Sequence, residues 1–398
     1  MRTIGILRKK NVPYYLFVLA LCFSDIAGNG NLNLLYFFGL IAFFCNLKRI
    51  SSYRLYGIIF LPFVFMVAAE YVFSTSKLDS LRILVYSAKM LINVSLMIYI
   101  KQQMQRINLT KIVKMVYPVF SFLLILALIT YGKDYLWRIN DAFNSFSKTR
   151  LEFLYSEPSV LGVVTSILII ICFYRYFFVT KDKKLLTVLI CFSAILVLTF
   201  SLSAIAYTFI SIVLMLLFQK GTIKGKHVGI LILIIVAFVI VMNTENPISS
   251  RLYAVIAGDD GSFNYRWNAS MATLPIVLHN TNNWGLGLGN MNTELGIGTI
   301  YSIGGMDYKF ANSFPYFIAE NGVLGFVYIV FLVGVLIVSV NRKQIRFNRE
   351  YSLRIALLAY AIISQIAGGY FTDPLIWCVY GLISSDTEIF KIKEGING

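Results

Sequence analysis

The sequence predicts an all-α integral membrane protein of about twelve transmembrane helices, a single polytopic domain spanning 1–398. Three observations predict it. Of the 398 residues, 58% are hydrophobic, and the mean hydropathy is +0.74. Soluble domains are nearer half apolar and space their apolar residues at helix or strand periods. Here they form long runs broken by short basic segments, and the basic residues fall in alternate breaks.

A bilayer core needs about 20 apolar residues per helix. The run 228–242 (VGILILIIVAFVIVM) has no ionisable residue. Spans are expected to begin near Val12, Asn31, Leu55, Leu81, Met115, Val160, Leu185, Leu202, Val228, Ile318, Leu353 and Leu375. Short links at 28–30 and 201–203 make their neighbours antiparallel hairpins. The N-terminus MRTIGILRKK precedes an apolar run without a small-residue cleavage site, so it reads as an uncleaved first helix.

A formal charge of +16 would point a soluble protein toward nucleic acid. Here Lys9, Lys10, Lys48, Arg49, Lys101, Lys181, Lys183, Lys184, Lys220 and Arg342 fall in the start and in alternate loops. That is the positive-inside pattern. It places both termini in the cytoplasm and makes a nucleic-acid partner unexpected. Cys22, Cys45, Cys172, Cys191 and Cys378 all lie in apolar runs and read as packing residues, with no metal cluster and no cofactor implied.

Two outer loops stand out, 133–159 and 243–311. Both are rich in Trp, Tyr, Phe and Asn. In the second, Trp267, Met271, Leu274 and Leu278 recur at helical spacing, either along the membrane surface or packed on the bundle.

The outer arginines Arg138, Arg150, Arg251 and Arg266 are not explained by topology. The guanidinium fork suits phosphate oxygens. Arg82 and Lys89, seven residues apart in the fourth span, lie on one helix face. Cations at that depth mark a partner or a polar cavity. Snorkelling, or pairing with a carboxylate such as Glu70 or Glu152, is the alternative for each.

Ser156-Glu157-Pro158-Ser159 opens the sixth span, with proline suited to the first turn and serine to the cap. Glu157 is then either a helix-start carboxylate or a general base. Asn312-Ser313-Phe314-Pro315 opens the tenth, where N-terminal amides can face an anion. Glu320 beyond it reads as a partner for a buried cation or a second base, and Gly322 and Gly325 as close-packing positions. The tract Trp284-Gly285-Leu286-Gly287-Leu288-Gly289-Asn290 lacks a P-loop lysine and reads as a turn letting backbone approach a ligand or helix. His279 is one of two histidines and has no metal-ligand spacing.

At these residues the chain resembles the Wzy-type O-antigen polymerases, within the group that includes O-antigen ligases. The carriers are Glu157-Pro158-Ser159, Leu198-Thr199-Phe200-Ser201, Arg266 before the glycine tract, and Asn312-Ser313-Phe314 followed by Glu320-Asn321-Gly322-Val323-Leu324-Gly325. Ligases usually carry a histidine before the Asn-Ser pair, where this chain has Ala311.

The resemblance implies a GT-C-type glycosyltransferase bundle in the bacterial inner membrane. It would join undecaprenyl-diphosphate-linked repeat units at the periplasmic face, with a flippase and a chain-length regulator as partners. Arg150, Arg251 and Arg266 are then expected to hold diphosphates, with Glu157 as base. Arg138, Arg82, Lys89, His279, Asn312 and Glu320 would line the substrate, and Trp137, Tyr265 and Trp267 could stack on sugars. One base without a second nucleophile points to single displacement with inversion. The rival readings are an O-antigen ligase and a lipid-linked oligosaccharide flippase.

Overall fold

Where lipid replaces water, a chain must pair its backbone polar groups internally, and long helices do so. The computed structural model describes residues 33–74, 78–103, 109–133, 135–139, 149–219, 246–291, 312–342 and 350–385, with 18, 21, 22, 229, 236, 239, 240, 243, 244 and 310 as isolated positions. Helices α1 (Leu34–Leu47), α2 (Ile50–Phe73), α3 (Ser80–Gln103) and α4 (Leu109–Ile129) come first. Then come α5 (Pro158–Tyr174), running on through a π-helical turn (Arg175–Val179), α6 (Lys183–Leu198) and α7 (Leu202–Leu217). The shorter α8 (Pro247–Ala257) and α9 (Ser270–Asn280) precede α10 (Ser313–Asn341), α11 (Tyr351–Ala367) and α12 (Pro374–Ser384).

Five helices are long and apolar enough to cross a membrane: Ile50–Phe73, Ser80–Gln102, Leu109–Ile129, Pro158–Val179 and Ser313–Asn341. Their outward faces carry large apolar residues, among them Phe65, Val72, Phe122, Ile129, Val330 and Val338. Apolar surface of that extent has no place in water and suits lipid. Helices stand at ten of the twelve expected span positions. The two expected near Val12 and Val228 lie almost wholly outside the described residues.

Side-chain contacts sort the helix termini into two ends. At one, Tyr36 of α1 meets the Thr372 carbonyl before α12, and Arg82 of α3 meets Gly289. Ser313 of α10 meets Gly368 after α11 at the same end. At the other, Arg49 and Ser52 meet Gln102, Lys101 meets Ser384, and Ser352 meets Gln219. The described parts of the loops 133–159 and 243–311 lie at the first end.

The first outer loop departs from an all-helical plan. Trp137 pairs with Leu151 and Arg138 with Arg150 in a two-residue antiparallel ribbon. Trp137 pins it by donating from Nε1 to the Ala127 carbonyl at the end of α4, 2.8 Å away. It is therefore buried in the core and is not a sugar platform. In the second loop, α9 buries Ser270, Thr273 and Val277, while Trp267 and Met271 stay partly exposed. The stretch packs against α10 through these buried residues, and its apolar stripe keeps Trp267 and Met271 on the outside.

Candidate functional site

The glycine tract fixes the floor of the site. Gly322 interrupts α10 with φ 60° and ψ −147°, a conformation that L side chains rarely adopt. The interruption leaves helix carbonyls without intrahelical donors, and the tract supplies them. Leu286 N–H donates to Ala319 at 3.0 Å, Gly287 N–H to Glu320 at 2.8 Å, and Val323 N–H returns to Asn283 at 2.9 Å. Gly322 was expected to serve helix packing; it breaks the helix instead. The space is closed to side chains: a Cβ at Gly285 would stand 2.4 Å from the Glu320 carbonyl oxygen, and one at Gly322 2.1 Å from that of Asn283. The tract is thus a turn that approaches a helix.

Two carboxylates complete the clamp. Glu70 accepts from Leu288 N–H at 3.3 Å and Glu320 from Met291 N–H at 3.2 Å. Both are enclosed, at 0% and 1% exposure. Glu320 is closed to solvent and makes no ion pair within 4.0 Å among the described residues, but it lies within the field of Arg82, a cation of the kind expected as its partner. Its carboxylate holds the tract.

The four outer arginines differ in availability. Arg251 donates from Nε to Asp260 at 3.0 Å and from Nη1 to the Phe200 carbonyl at 2.9 Å. The side chains of this pair are 14% and 2% exposed. Breaking a buried pair costs about 3–5 kcal/mol, so Arg251 ties α8 to the α6–α7 corner. Arg138 binds Glu152 at 3.1 Å and donates to the Ser156 carbonyl. Arg150 donates to the Thr199 carbonyl at 3.0 Å. These bonds let two arginines sit opposite each other across the ribbon, where like charges otherwise repel.

Arg266 is different. Its Nη2 lies 4.0 Å from Glu157 Oε2, with side chains 32% and 51% exposed. An exposed pair contributes about 0–1 kcal/mol, so Glu157 holds Arg266 only weakly. Glu157 is itself the cap residue of α5, with Pro158 in the first turn. Serine was expected at that cap; Ser159 instead donates to Glu157 Oε2 at 2.8 Å. The helix N-terminus behind Glu157 is a positive dipole end.

Around this pair stand residues from three further elements. A Cβ at Gly368 would lie 3.8 Å from Arg266 Nη1. Tyr370, in the same link between α11 and α12, lies within the fields of both Glu157 and Arg266 and is 66% exposed. Tyr207 of α7 also feels Arg266. Ser313, bonded to Gln365 and to the Gly368 backbone, brings in Asn312. Asn312 is fully buried, and neither amide atom of its side chain has a hydrogen-bond partner among the described residues. An orphaned buried amide costs about 1–3 kcal/mol, which a ligand with donors and acceptors would recover.

Arg82 pairs with Asp79 at 3.3 Å. Lys89, one face further along α3, has its Nζ 5.6 Å from the Tyr86 ring centroid and 5.8 Å from that of Tyr36. A cation–π contact contributes about 0.5–2 kcal/mol, against roughly 2.5–3.5 kcal/mol for lysine in a span. Two such contacts offset much of that cost, and Lys89 makes no ion pair with any described residue. His279 is exposed at the far end of α9. The side chain of Tyr265, like Ala311 and residues 292–309, lies outside the described residues.

Of the residues expected from sequence, the structure gathers Arg266, Glu157 and Asn312, and holds Arg138, Arg150 and Arg251 in structural bonds nearby. It adds Tyr370, Tyr207, Gly368 and Asp260. The signal for the link was Gly368-Gly369 ahead of Asp373-Pro374, a helix stop followed by a helix start. No group of three His, Cys, Asp or Glu that could hold a metal ion occurs among the described residues. No protein-family model matches this sequence, and no curated protein is significantly similar to it.

Proposed function

We propose that this protein is a membrane glycosyltransferase that polymerises undecaprenyl-diphosphate-linked oligosaccharide repeat units into O-antigen or a related surface polysaccharide. The observation that carries the reading is the half-exposed Arg266–Glu157 pair, set beside Tyr370 and the unpartnered Asn312. A cation available to an anion, a carboxylate and a buried amide are what glycosyl transfer from a lipid diphosphate requires. In this reading the chain has twelve spans in a GT-C-type bundle of the inner membrane. Both termini are cytoplasmic, and the loop end faces the periplasm.

The acceptor sugar hydroxyl attacks the anomeric carbon of the donor. The C–O bond to the diphosphate breaks, and undecaprenyl diphosphate leaves with the bonding electron pair. Glu157 takes the hydroxyl proton. Arg266 exchanges its weak contact with Glu157 for the diphosphate, so the charge that develops on the leaving group meets a preplaced fork of donors. That exchange also frees the carboxylate for its proton. Asn312 orients the sugar or the diphosphate, and a flippase and a chain-length regulator supply substrate and set product size.

Deleting the gene in a host that builds O-antigen tests this on a gel. The expected lipopolysaccharide is core plus one repeat unit, restored to a ladder by the intact gene and not by a Glu157→Gln copy. Bare core would refute the polymerase. Accumulated lipid-linked polymer would then indicate a ligase, and single lipid-linked units trapped in the cytoplasmic leaflet a flippase.

A further inference from the structure

Lys89 belongs to a second polar cluster that the Arg266 site does not include. Arg82, Tyr86, Lys89 and Asn93 follow one another at helical spacing along α3. Arg82 and Tyr86 close on Gly289, where a Cβ would meet each at 3.1 Å. Asn93 donates to the Thr372 carbonyl at 2.8 Å, and the Tyr36 hydroxyl donates to the same oxygen. Asn93 is fully buried, yet its Oδ1 has no hydrogen-bond partner among the described residues. Lys89 is held between the Tyr36 and Tyr86 rings and makes no ion pair with any described residue. On the neighbouring face of α3, Leu81, Leu84 and Val85 are exposed, at 69%, 65% and 46%.

The cluster therefore has a cation without an anion, an amide oxygen without a donor, and an apolar wall open to the side. A ligand that completes all three has an anionic head with a hydroxyl or protonated oxygen, and a hydrocarbon tail. A lipid phosphate has these parts. Lysine contributes a point charge with rotatable donors, and the Tyr36 and Tyr86 rings lie within cation–π distance of it.

The link 368–373 joins this cluster to the first site. Its Gly368 end lies against Arg266 and its Thr372 end is held by Tyr36 and Asn93. Tyr370, between them, lies within the fields of Glu157 and Arg266 on one side and acts on Tyr86 on the other. We infer that Lys89, with Arg82, Tyr36 and Tyr86, forms a second lipid-phosphate site, separated from the Arg266 site by this link. Its place for the acceptor lipid in polymerisation rests on the proposed function; the binding itself does not. Two lipid phosphates on either side of one short link would bring their sugars together over Tyr370 and Glu157.

The test is the number of undecaprenyl diphosphate molecules retained by the full-length protein in native mass spectrometry, with an affinity titration of the same probe. Two are expected for the unaltered protein and one each for Lys89→Met and Arg266→Gln. The double variant should retain none, and Lys89→Arg should recover the second. The affinity at the Lys89 site is expected to fall at least tenfold in Lys89→Met. Two lipids retained by a folded Lys89→Met protein would overturn the inference. Inorganic diphosphate should bind at least tenfold more weakly than the lipid; equal affinity would remove the lipid from the assignment. A protein that binds two lipids and makes no polymer would refute the proposed function and leave this inference standing. Normal polymer with two lipids on Lys89→Met would do the reverse.

Discussion

At the end of the bundle where α3 and α12 finish, the two cations drawn into the bundle, Lys101 and Arg354, are taken up by the backbone, while Lys181, Lys183 and Lys184 stay exposed. Lys101 donates to the Ser384 carbonyl, and Arg354 donates to the carbonyls of Ile383 and Ser385 while facing Glu350. These carbonyls belong to the C-terminus of α12, a negative dipole end that favours cations. At the opposite end, among the described residues, Arg266 has a long contact with a half-exposed carboxylate and Lys89 has two aromatic rings. The difference teaches how to read basic residues in a membrane bundle. A charge saturated by helix-end carbonyls serves the fold, and one left half-solvated among unpartnered polar groups is available to a ligand.

The largest expected effect is all-or-none and tests whether the two ends face opposite sides of a membrane. Lys133, after α4, and Thr180, after α5, are both exposed, at opposite ends of the bundle. In a protein lacking its native cysteines, Lys133→Cys and Thr180→Cys should react with an impermeant thiol reagent from opposite sides. Labelling from the same side would abolish the two-ended comparison.

Next comes activity at the loop end. Arg266→Lys keeps the charge and loses the fork, and Glu157→Gln keeps the size and loses the base. Each is expected to lower polymer synthesis by about 100-fold or more, the usual effect of removing a transition-state donor or a general base. Melting of the purified variants should stay near that of the unaltered protein, because an exposed pair contributes little to stability. A large fall in melting temperature would show that the pair is structural, as its counterparts at the other end are.

Smaller in activity and larger in stability are the contrasting substitutions. Arg354→Met removes a side chain 1% exposed from the α12 carbonyls and leaves Glu350 buried. A loss of about 3–5 kcal/mol is expected, read as a lower yield of folded protein. Gly322→Ala acts likewise at the loop end, since its Cβ collides with the Asn283 carbonyl in a backbone conformation alanine resists. If either variant folds normally and loses only activity, the division between the ends is drawn in the wrong place.

Much of this arrangement is legible in the sequence. The long apolar runs and the basic residues between them announce helices, because apolar length and charge placement are local properties. The Glu157-Pro158 helix start is legible for the same reason. The glycine tract announces a close backbone approach without saying to what, since its partner at Ala319 and Glu320 is brought by folding. The arginines show the limit most clearly. Arg251 and Arg266 look alike in sequence, and only the fold places Asp260 and the Phe200 carbonyl on one and leaves the other at 4.0 Å from Glu157. Tyr370 carried no signal of its own, because its importance comes from a link whose ends are held by α1, α3 and α10.

The smallest expected effect concerns His279 and sets how far the available surface reaches. The family resemblance placed it among the substrate contacts, near the glycine tract that follows it. The structure puts it at the opposite end of α9 from Arg266. A helical rise of about 1.5 Å per residue separates the two by roughly 20 Å along the axis. It is exposed, and the helix end beside it is occupied by the Thr281 and Asn283 turn rather than by an open polar group. His279→Ala should therefore change polymer yield and melting temperature by no more than twofold and about one degree, since surface changes of this kind are worth about 0.5 kcal/mol or less. A tenfold loss of polymer with unchanged melting would extend the ligand surface along all of α9. Availability would then be a property of the whole loop end and no longer of the few groups around Arg266.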